Sequence, residues 1–306
     1  MVDILLSTYN GGEYLEDLLS SIFSQTYEKI HLCVHDDGSS DETQSIIRRW
    51  QTMLGDQIRV LPSGSHTGDI GQNYFQLLSE SDGRYAMFCD QDDIWLPDKV
   101  SDSIRYLETA EGYSSGIPTL LHTDLKVVDA GLHVFADSFV RYQRLEPGRC
   151  SLPQLIAQNN ATGCTMLLNR ALTERLRCPP SGELHDRWTA LTASAFGRIL
   201  YYPAQTVLYR QHGRNAVGAR NAGTFRYAVK RALDTQGMRQ SLRNTYTLAV
   251  NFWRTYRDLL SPDQSAFLLE YSQLEQATIL ERMRVLAKHG AFKRGMWRAL
   301  AQVLFG

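Results

Sequence analysis

Over its first 110 residues the chain alternates short β-type runs with helix-type periodicity, and this order constrains the fold more than any single motif. The run "DILLSTY" predicts a strand. Tyr14, Leu15, Leu18, Leu19, Ile22 and Phe23 then recur as one apolar helical face. "IHLCVHDDG" predicts the next strand, with Ser39 and Glu42 as a capping box for the helix after it. "QIRVLPS", a helix around Asn73–Leu78, and "YAMFCD" continue the alternation. Strand–helix–strand order builds a parallel sheet with right-handed crossovers, so the expected class is α/β. In such sheets ligands bind beyond the carboxyl ends of the strands. Polar residues stand at those ends: "STYNGGE" after the first strand, "DDGSSDET" after the second and "DQDD" after the fourth. Three such ends are expected to converge on one crevice.

Further along, "TLLHTDLKVVD", "GCTMLLNR" and "RILYYPAQTVLYRQH" read as extended and "ELHDRWTALTASAF" as helical. From about residue 220 the pattern is helical, interrupted near Ser261–Pro262 and ending with Lys288–Phe305. Charge changes at the same place. Residues 220–306 carry 14 Lys/Arg against 6 Asp/Glu, whereas the whole chain is at −1. We therefore expect domains at 1–219 and 220–306. Five cysteines without a CxxC pair, in a sequence that opens on a strand-like run and not on a leader, fit a reducing cytoplasm. No run approaches eighteen uninterrupted apolar residues. No GxGxxG follows the first strand, which argues against a dinucleotide-binding dehydrogenase.

"CDQDDIW" (Cys89–Trp95) sets three carboxylates within four positions. Their repulsion calls for solvent, a basic partner, a metal, or a substrate that brings its metal. In an extended segment Asp90 and Asp92 share a face and Asp93 points away. Mg²⁺ and Mn²⁺ favour such hard oxygen ligands, often one or two carboxylates completed by phosphates. The plainer alternative is an acidic loop capping a helix begun by Pro97. Tyr9 stands at the end of the first strand, and Asp36 and Asp37 at the end of the second.

The ordered set "STYNGGEYL", "SIFSQTY", "HDDGSSDET", "FCDQDDIWLPDKV", "HTDL", "NNATGCTMLLNR", "LHDRW" and "VLYRQHGRNAVG" resembles the inverting family 2 glycosyltransferases, closest to bacterial rhamnosyltransferase-like members. The likeness runs over about residues 2–220. It implies a GT-A fold, a Rossmann-like, mostly parallel central sheet with flanking helices, here followed by a C-terminal helical extension. It also implies a nucleotide-sugar donor, plausible candidates being dTDP-L-rhamnose or a UDP-hexose, and a saccharide or lipid-linked saccharide acceptor. A divalent metal, Mg²⁺ or Mn²⁺, would be held by Asp92, Asp90 and His212. The donor would meet Ser7, Tyr9, Asn10, Asp37, Asp90, Gln91 and Arg210. Asp186 matches the position of the base that takes the acceptor proton, with His185 as its neighbour. Trp95, Asp93 and Trp188 are expected on the acceptor side, since aromatic faces stack on sugar CH groups. "GDIGQN" departs from the family spelling by carrying Asp69 where an apolar residue is commoner.

Residues 282–298 hold six Lys/Arg and no acid, followed by "ALAQVLF". A basic helix with Trp297 and Phe305 near its end reads as an interfacial segment over 282–305, peripheral to an anionic inner membrane face. The alternative is a helix packed on its own domain or on another subunit. Two other classes compete with a transferase: a nucleotidyltransferase, disfavoured because "STYNGGEYLED" has no Lys or Arg, and a non-catalytic nucleotide-sugar binder. No nucleic-acid partner is expected.

Overall fold

The computed structural model describes residues 1–62, 66–213 and 234–306. The chain forms two compact units, one of Met1–Phe139 with Ala161–Ala219, the other of Val140–Asn160 with Arg220–Gly306. The change of organisation expected at about residue 220 falls outside the described residues, as does "RNAVG" of the last motif. That Val140–Asn160 joins the C-terminal helices is a return of the chain that the charge shift does not reveal.

The first unit opens as the alternation predicts. Strand β1 (Val2–Thr8) leads to helix α1 (Gly12–Phe23), then β2 (Ile30–Asp36), α2 (Thr43–Leu54), β3 (Ile58–Val60), α3 (Ile70–Ser79) and β4 (Tyr85–Cys89). Val2, Ile4, Leu5 and Leu6 are all fully buried. A strand covered on both faces reads as a continuous apolar run, which is why "VDILL" does not alternate. Leu15, Leu18, Leu19 and Ile22 form the buried stripe of α1 against that sheet. β1 pairs in parallel with β2 and β4, and β2 with β3.

The rest of the sheet comes from β5 (Ile94–Trp95), β6 (Thr119–Asp129), β7 (Val134–Ala136), β8 (Met166–Asn169) and β9 (Arg198–Gln211), giving the order β3-β2-β1-β4-β8-β6-β9-β5 with β7 on β6. β8 is antiparallel to both β4 and β6, and β5 is antiparallel to β9. The parallel arrangement therefore holds for the first four strands and again for β6 with β9, with β8 inserted as a reversed strand. Helices α4 (Lys99–Thr109), α5 (Phe139–Gln143), α6 (Leu152–Ala157), α7 (Arg170–Arg175) and α8 (His185–Phe196) fill the connections.

The second unit is completed by α9 (Thr235–Tyr256), α10 (Pro262–Ser272), α11 (Ile279–His289) and α12 (Met296–Phe305). Its core is Met238, Leu242, Leu248, Ala249, Phe252, Tyr256, Phe267, Leu268 and Tyr271. The basic stretch is two helices, because Gly290 ends α11 in the left-handed region at φ 63°. Arg282 donates to the carbonyls of Leu274, Glu275 and Val303, Lys288 pairs with Glu270, and the Arg294 guanidinium meets the Leu145 carbonyl. Ile279, Leu280 and Met283 on α11, with Met296, Trp297, Leu300 and Leu304 on α12, are exposed. Among the described residues no helix is long and apolar enough to cross a membrane.

Candidate active site

The three strand ends meet through a lattice of short bonds. Asp37 N donates to the Thr8 carbonyl at 2.8 Å, and Thr8 Oγ1 donates to Asp36 Oδ1 at 2.9 Å. Asn10 sits in the left-handed region at φ 47°, which its short polar side chain tolerates. Its N–H donates to Ser39 Oγ and its Oδ1 accepts from Ser40 N, both at 2.9 Å. Ser7, one residue before Thr8, is partly buried at the end of β1. Gln91 reaches back from the third end, accepting from Tyr9 N at 2.9 Å and donating to Tyr9 O at 3.0 Å. The predicted capping box does not form. Ser39 donates its N–H and its hydroxyl to Asp36, while Asp41 accepts from Thr43 N at the start of α2. The second turn is a carboxylate-nucleated loop, its donors bonded to Asp36 and Asp41.

Asp37 accepts from Thr67 N at 2.7 Å and Gly68 N at 3.0 Å, with His66 Nδ1 at 3.0 Å. Burial pushes its pKa up, but the bonds from Thr67, Asn73 and Gly68 together outweigh this and hold it below the ordinary carboxylate range. Tyr9 is 43% exposed, and the His66 ring stacks on it with centroids 4.0 Å apart and planes at 14°. Tyr9 is thus a surface aromatic with one face against the His66 ring.

The acidic segment is a turn, so strand alternation does not apply to it. Asp90 and Asp93 converge with Cys164, their ligand atoms lying within 4.8 Å of one another. Asp92 turns instead to His212, with Oδ2 2.8 Å from Nε2. Asp90 accepts from the Tyr74 hydroxyl at 3.1 Å, and that hydroxyl also donates to Cys89 O. Burial, then Asp92 and Asp186, push Asp90 up to about 7, against the Tyr74 and Cys164 bonds. Burial followed by Asp92 and Asp90 pushes Asp93 well above its usual range, and its Oδ2 is buried without a hydrogen-bond partner. Beneath them Lys99 is buried, lowered to about 8 by burial, with its ammonium 4.7 Å from the Trp95 ring centroid.

Asp186 occupies the first turn of α8, with Oδ1 accepting from Arg187 N at 2.5 Å and a further bond from Gly163 N. Burial raises it to about 6 in spite of those donors and the Arg187 charge. His185 is packed 3.8 Å from Tyr74 and 4.6 Å from Phe88, ring centre to ring centre, and burial lowers it to about 3. Its imidazole stays neutral, a packing neighbour. A Cβ on Gly163 would sit 2.7 Å from His185 Nε2, so the glycine of "NNATG" lets the turn before β8 approach α8.

Four expectations need correction. Trp95 is 2% exposed, wedged over Lys99, and Trp188 is fully buried with its indole N–H on Arg177 O at 2.8 Å. Neither offers a face to an acceptor. Asp93 is fully buried and accepts from Arg210 N, so it does not line that side either. Arg210 is 3% exposed, and its guanidinium donates to Asp92 O, Ala130 O and Asp17 Oδ2 while stacking over Tyr14. It braces the acidic turn from behind, where a phosphate-binding role was expected. Sequence reasoning missed Tyr74, Lys99, Cys164 and His66. Only Lys99 carried a signal, as a cation four residues after a tryptophan.

Residues 3–174, more than half of the chain, match the family described as Glycosyl transferase family 2. The chain belongs to that family. The dTDP-rhamnosyl transferase RfbG of Shigella flexneri is 30% identical over 230 residues, 70% of this chain and 74% of that protein. The putative teichuronic acid biosynthesis glycosyltransferase TuaG of Bacillus subtilis is 24% identical over 64% of this chain and 73% of its own. Among solved structures, S. aureus TarS residues 1–349 with UDP-GlcNAc superposes with a TM-score of 0.59 at 17% identity, covering 96% of this chain and 73% of that one. The chain spans 44% of the longer TarS structure. The mannosyltransferase PcManGT of Pyrobaculum calidifontis, in complex with GDP-Man and Mn²⁺, superposes at 0.53 with 19% identity, covering 98% of this chain and 77% of that one. This family 2 chain thus has the GT-A fold and is a glycosyltransferase.

Proposed function

We propose that this glycosyltransferase moves a sugar from a nucleotide donor to a saccharide acceptor with inversion, in bacterial surface polysaccharide synthesis. The observation that carries the reading is the gathering of Asp90, Asp92 and Asp93 in one turn after β4, with Asp186 near enough to help raise Asp90. One region delivers an acidic clamp and a separate carboxylate raised to about 6. An inverting displacement needs both. The acceptor hydroxyl oxygen bonds to the anomeric carbon as the bond to the diphosphate oxygen breaks. The hydroxyl proton passes to Asp186, and the electron pair leaves with the diphosphate. The base lies on Tyr9 with its imide N–H toward Asp37, and Ser7, Asn10, Gln91 and Asp90 frame the ribose side.

The residues present suit a divalent cation. Asp92 with His212, and Asp90, are oxygen and nitrogen donors, and the buried Asp93 Oδ2 is left unpaired behind them. These residues would hold Mg²⁺ or Mn²⁺, which would supply positive charge to offset the negative charge building on the diphosphate.

For the donor, the RfbG likeness favours dTDP-L-rhamnose. A UDP-hexose is the alternative, since the UDP-Glc-dependent glucosyltransferase WfaP of Escherichia coli is 30% identical over 38% of this chain and 44% of its own. We assign 1–219 to catalysis and 220–306 to a basic helical region. The exposed apolar residues of α11 and α12, flanked by Arg284 and Arg298, support peripheral contact with the inner face of the cytoplasmic membrane, near a lipid-linked acceptor. The test is a thermal-shift panel of UDP-, GDP- and dTDP-sugars with Mn²⁺, followed by turnover of the donor that stabilises. Wild-type turnover lost in Asp186→Asn, with nucleotide binding retained, supports the reading. Near-normal turnover in that variant overturns the assignment of the base.

A further inference from the structure

Asp69, the residue by which "GDIGQN" departs from the family spelling, stands at the junction of two parts of the site. As N-cap of α3 its Oδ1 accepts from Gln72 N at 3.0 Å. Its Oδ2 turns outward, accepting from Ser181 Oγ at 2.5 Å and from Gly182 N at 3.0 Å. Its own N–H donates to Thr67 Oγ1 at 3.2 Å, and Thr67 with Gly68 holds Asp37. The carboxylate of this one residue therefore closes a helix and grips the segment that leads into α8. Its backbone N–H touches the 66–68 loop that holds Asp37, the base loop of the proposed function.

That segment is pinned on both sides. Gln72 Nε2 donates to Pro179 O at 2.7 Å, and a Cβ on Gly71 would sit 2.1 Å from Glu183 O, so the first turn of α3 lies directly on it. From the other side Trp188 Nε1 donates to Arg177 O. Three residues after Glu183 comes Asp186. An apolar residue at 69 would forgo the cap and both bonds to the 181–182 turn. Gly182 is at φ 88°, a conformation that points its N–H at the carboxylate and that other residues rarely adopt.

We infer that Asp69 is a positioning residue for the transfer step: its carboxylate latches the 178–183 segment to the base loop and so fixes where Asp186 stands relative to bound donor. The inference rests on Asp186 as the base. It concerns alignment and not affinity, because the Asp69 side chain touches none of the groups that meet the nucleoside.

Asp69→Ser separates the latch from the fold, since serine caps a helix about as well as aspartate but is too short to reach Ser181. Ser181→Ala removes one bond from an exposed turn, and Ser181→Thr keeps the hydroxyl. Binding of UDP and dTDP with Mn²⁺ is measured by calorimetry. Turnover is measured on whichever of UDP-glucose and dTDP-L-rhamnose the wild type consumes, with melting curves alongside. Asp69→Ser is expected to lower kcat about 10- to 100-fold, the usual effect of a small misplacement of a catalytic group, with nucleotide affinity within about twofold. Ser181→Ala should show a smaller loss and Ser181→Thr a near-wild-type rate. The double variant Asp69→Ser/Ser181→Ala should be no slower than Asp69→Ser alone. Unchanged kcat in Asp69→Ser, or a fall in affinity equal to the fall in rate, overturns the latch. Asp186→Asn, run in parallel, keeps the two readings apart: if it is inactive while Asp69→Ser is normal, the latch fails and the base stands. If Asp186→Asn turns over normally, the base reading fails.

Discussion

Replacing Asp186 by asparagine is expected to abolish transfer and, at neutral pH, to stabilise the protein. Burial raises this carboxyl from its ordinary 3.8 to about 6, a rise worth about 3 kcal/mol between the two protonation states. Its folded pKa lies above its unfolded one, the reverse of a salt-bridged carboxylate. Between pH 4 and 6, approximately, the folded state binds the proton more tightly, so stability falls as pH rises through that window. Above it the whole cost of the buried charge is present. An amide carries no such cost. It keeps an acceptor for Arg187 N and Gly163 N but brings N–H groups that need partners, which offsets about 1–2 kcal/mol of the gain. The expected net at pH 7.5 is about 1–2 kcal/mol, or roughly 2–6 °C in Tm for a domain of this size.

Scanning calorimetry on both proteins at pH 7.5 and pH 4.5, beside turnover, reads all of this. The Tm advantage of Asp186→Asn should shrink at the lower pH, where the wild-type carboxyl is largely protonated. In the wild type, kcat should fall about tenfold per pH unit below roughly 6, as the carboxylate that accepts the proton is titrated away. A variant with normal turnover refutes the chemistry. A variant that melts lower than wild type by the same margin at both pH values refutes the electrostatics.

Tyr9→Ala should weaken UDP or dTDP by about tenfold or more, since stacking on an aromatic is worth about 1–3 kcal/mol per base. Equal affinity in calorimetry would remove Tyr9 from the nucleoside. Arg210→Ala should lower stability by about 1–3 kcal/mol, because it removes the guanidinium bonds to the Asp92 and Ala130 carbonyls and to Asp17. A chain that melts as wild type would show that the brace is dispensable. Trp297→Ser combined with Leu304→Ser should reduce flotation with anionic liposomes without changing donor hydrolysis, and equal flotation would end the membrane-contact proposal.

Much of the first unit is legible because its strands are buried on both faces and its helices on one, so periodicity and strand ends announce themselves in "DILLSTY" and in Leu15, Leu18 and Ile22. The 119–129 strand is legible as an extended run for the same reason, whereas 198–211 is only partly buried along most of its length, and β8's reversal is not legible, since pairing direction leaves no periodic trace. In the site, placement at strand ends survived and orientation did not. The alternation argument for Asp90, Asp92 and Asp93 assumed an extended chain, and a turn sends Asp90 and Asp93 together toward Cys164. Trp95 and Trp188 illustrate the same limit, because an aromatic near an acidic motif has the same letter whether it faces solvent or, as here, the core. Asp69 did leave a mark, as a polar residue in an apolar place. What it grips lies 112 and 113 residues away, beyond any local pattern.

The carboxylates of this crevice divide into two kinds, and the division separates structural acid from chemical acid. Asp37, Asp41 and Asp69 are each buried enough to be pushed up, yet each is held below the ordinary range by several donors, backbone N–H groups prominent among them. They are loop-builders, stable as anions. Asp90, Asp93 and Asp186 are raised, and the first two owe part of that rise to other carboxylates. The cations nearest to them relieve this only in part: Arg187 lowers Asp186 without returning it to its ordinary range. The Lys99 ammonium stands over the Trp95 ring, and Arg210 spends its donors on two carbonyls and Asp17. An acidic loop that merely capped α4 would be built like the first kind, since backbone donors satisfy carboxylates at little cost. Asp90 and Asp93 are instead raised by burial and by their neighbours, as the proposed ligand set calls for and a cap does not.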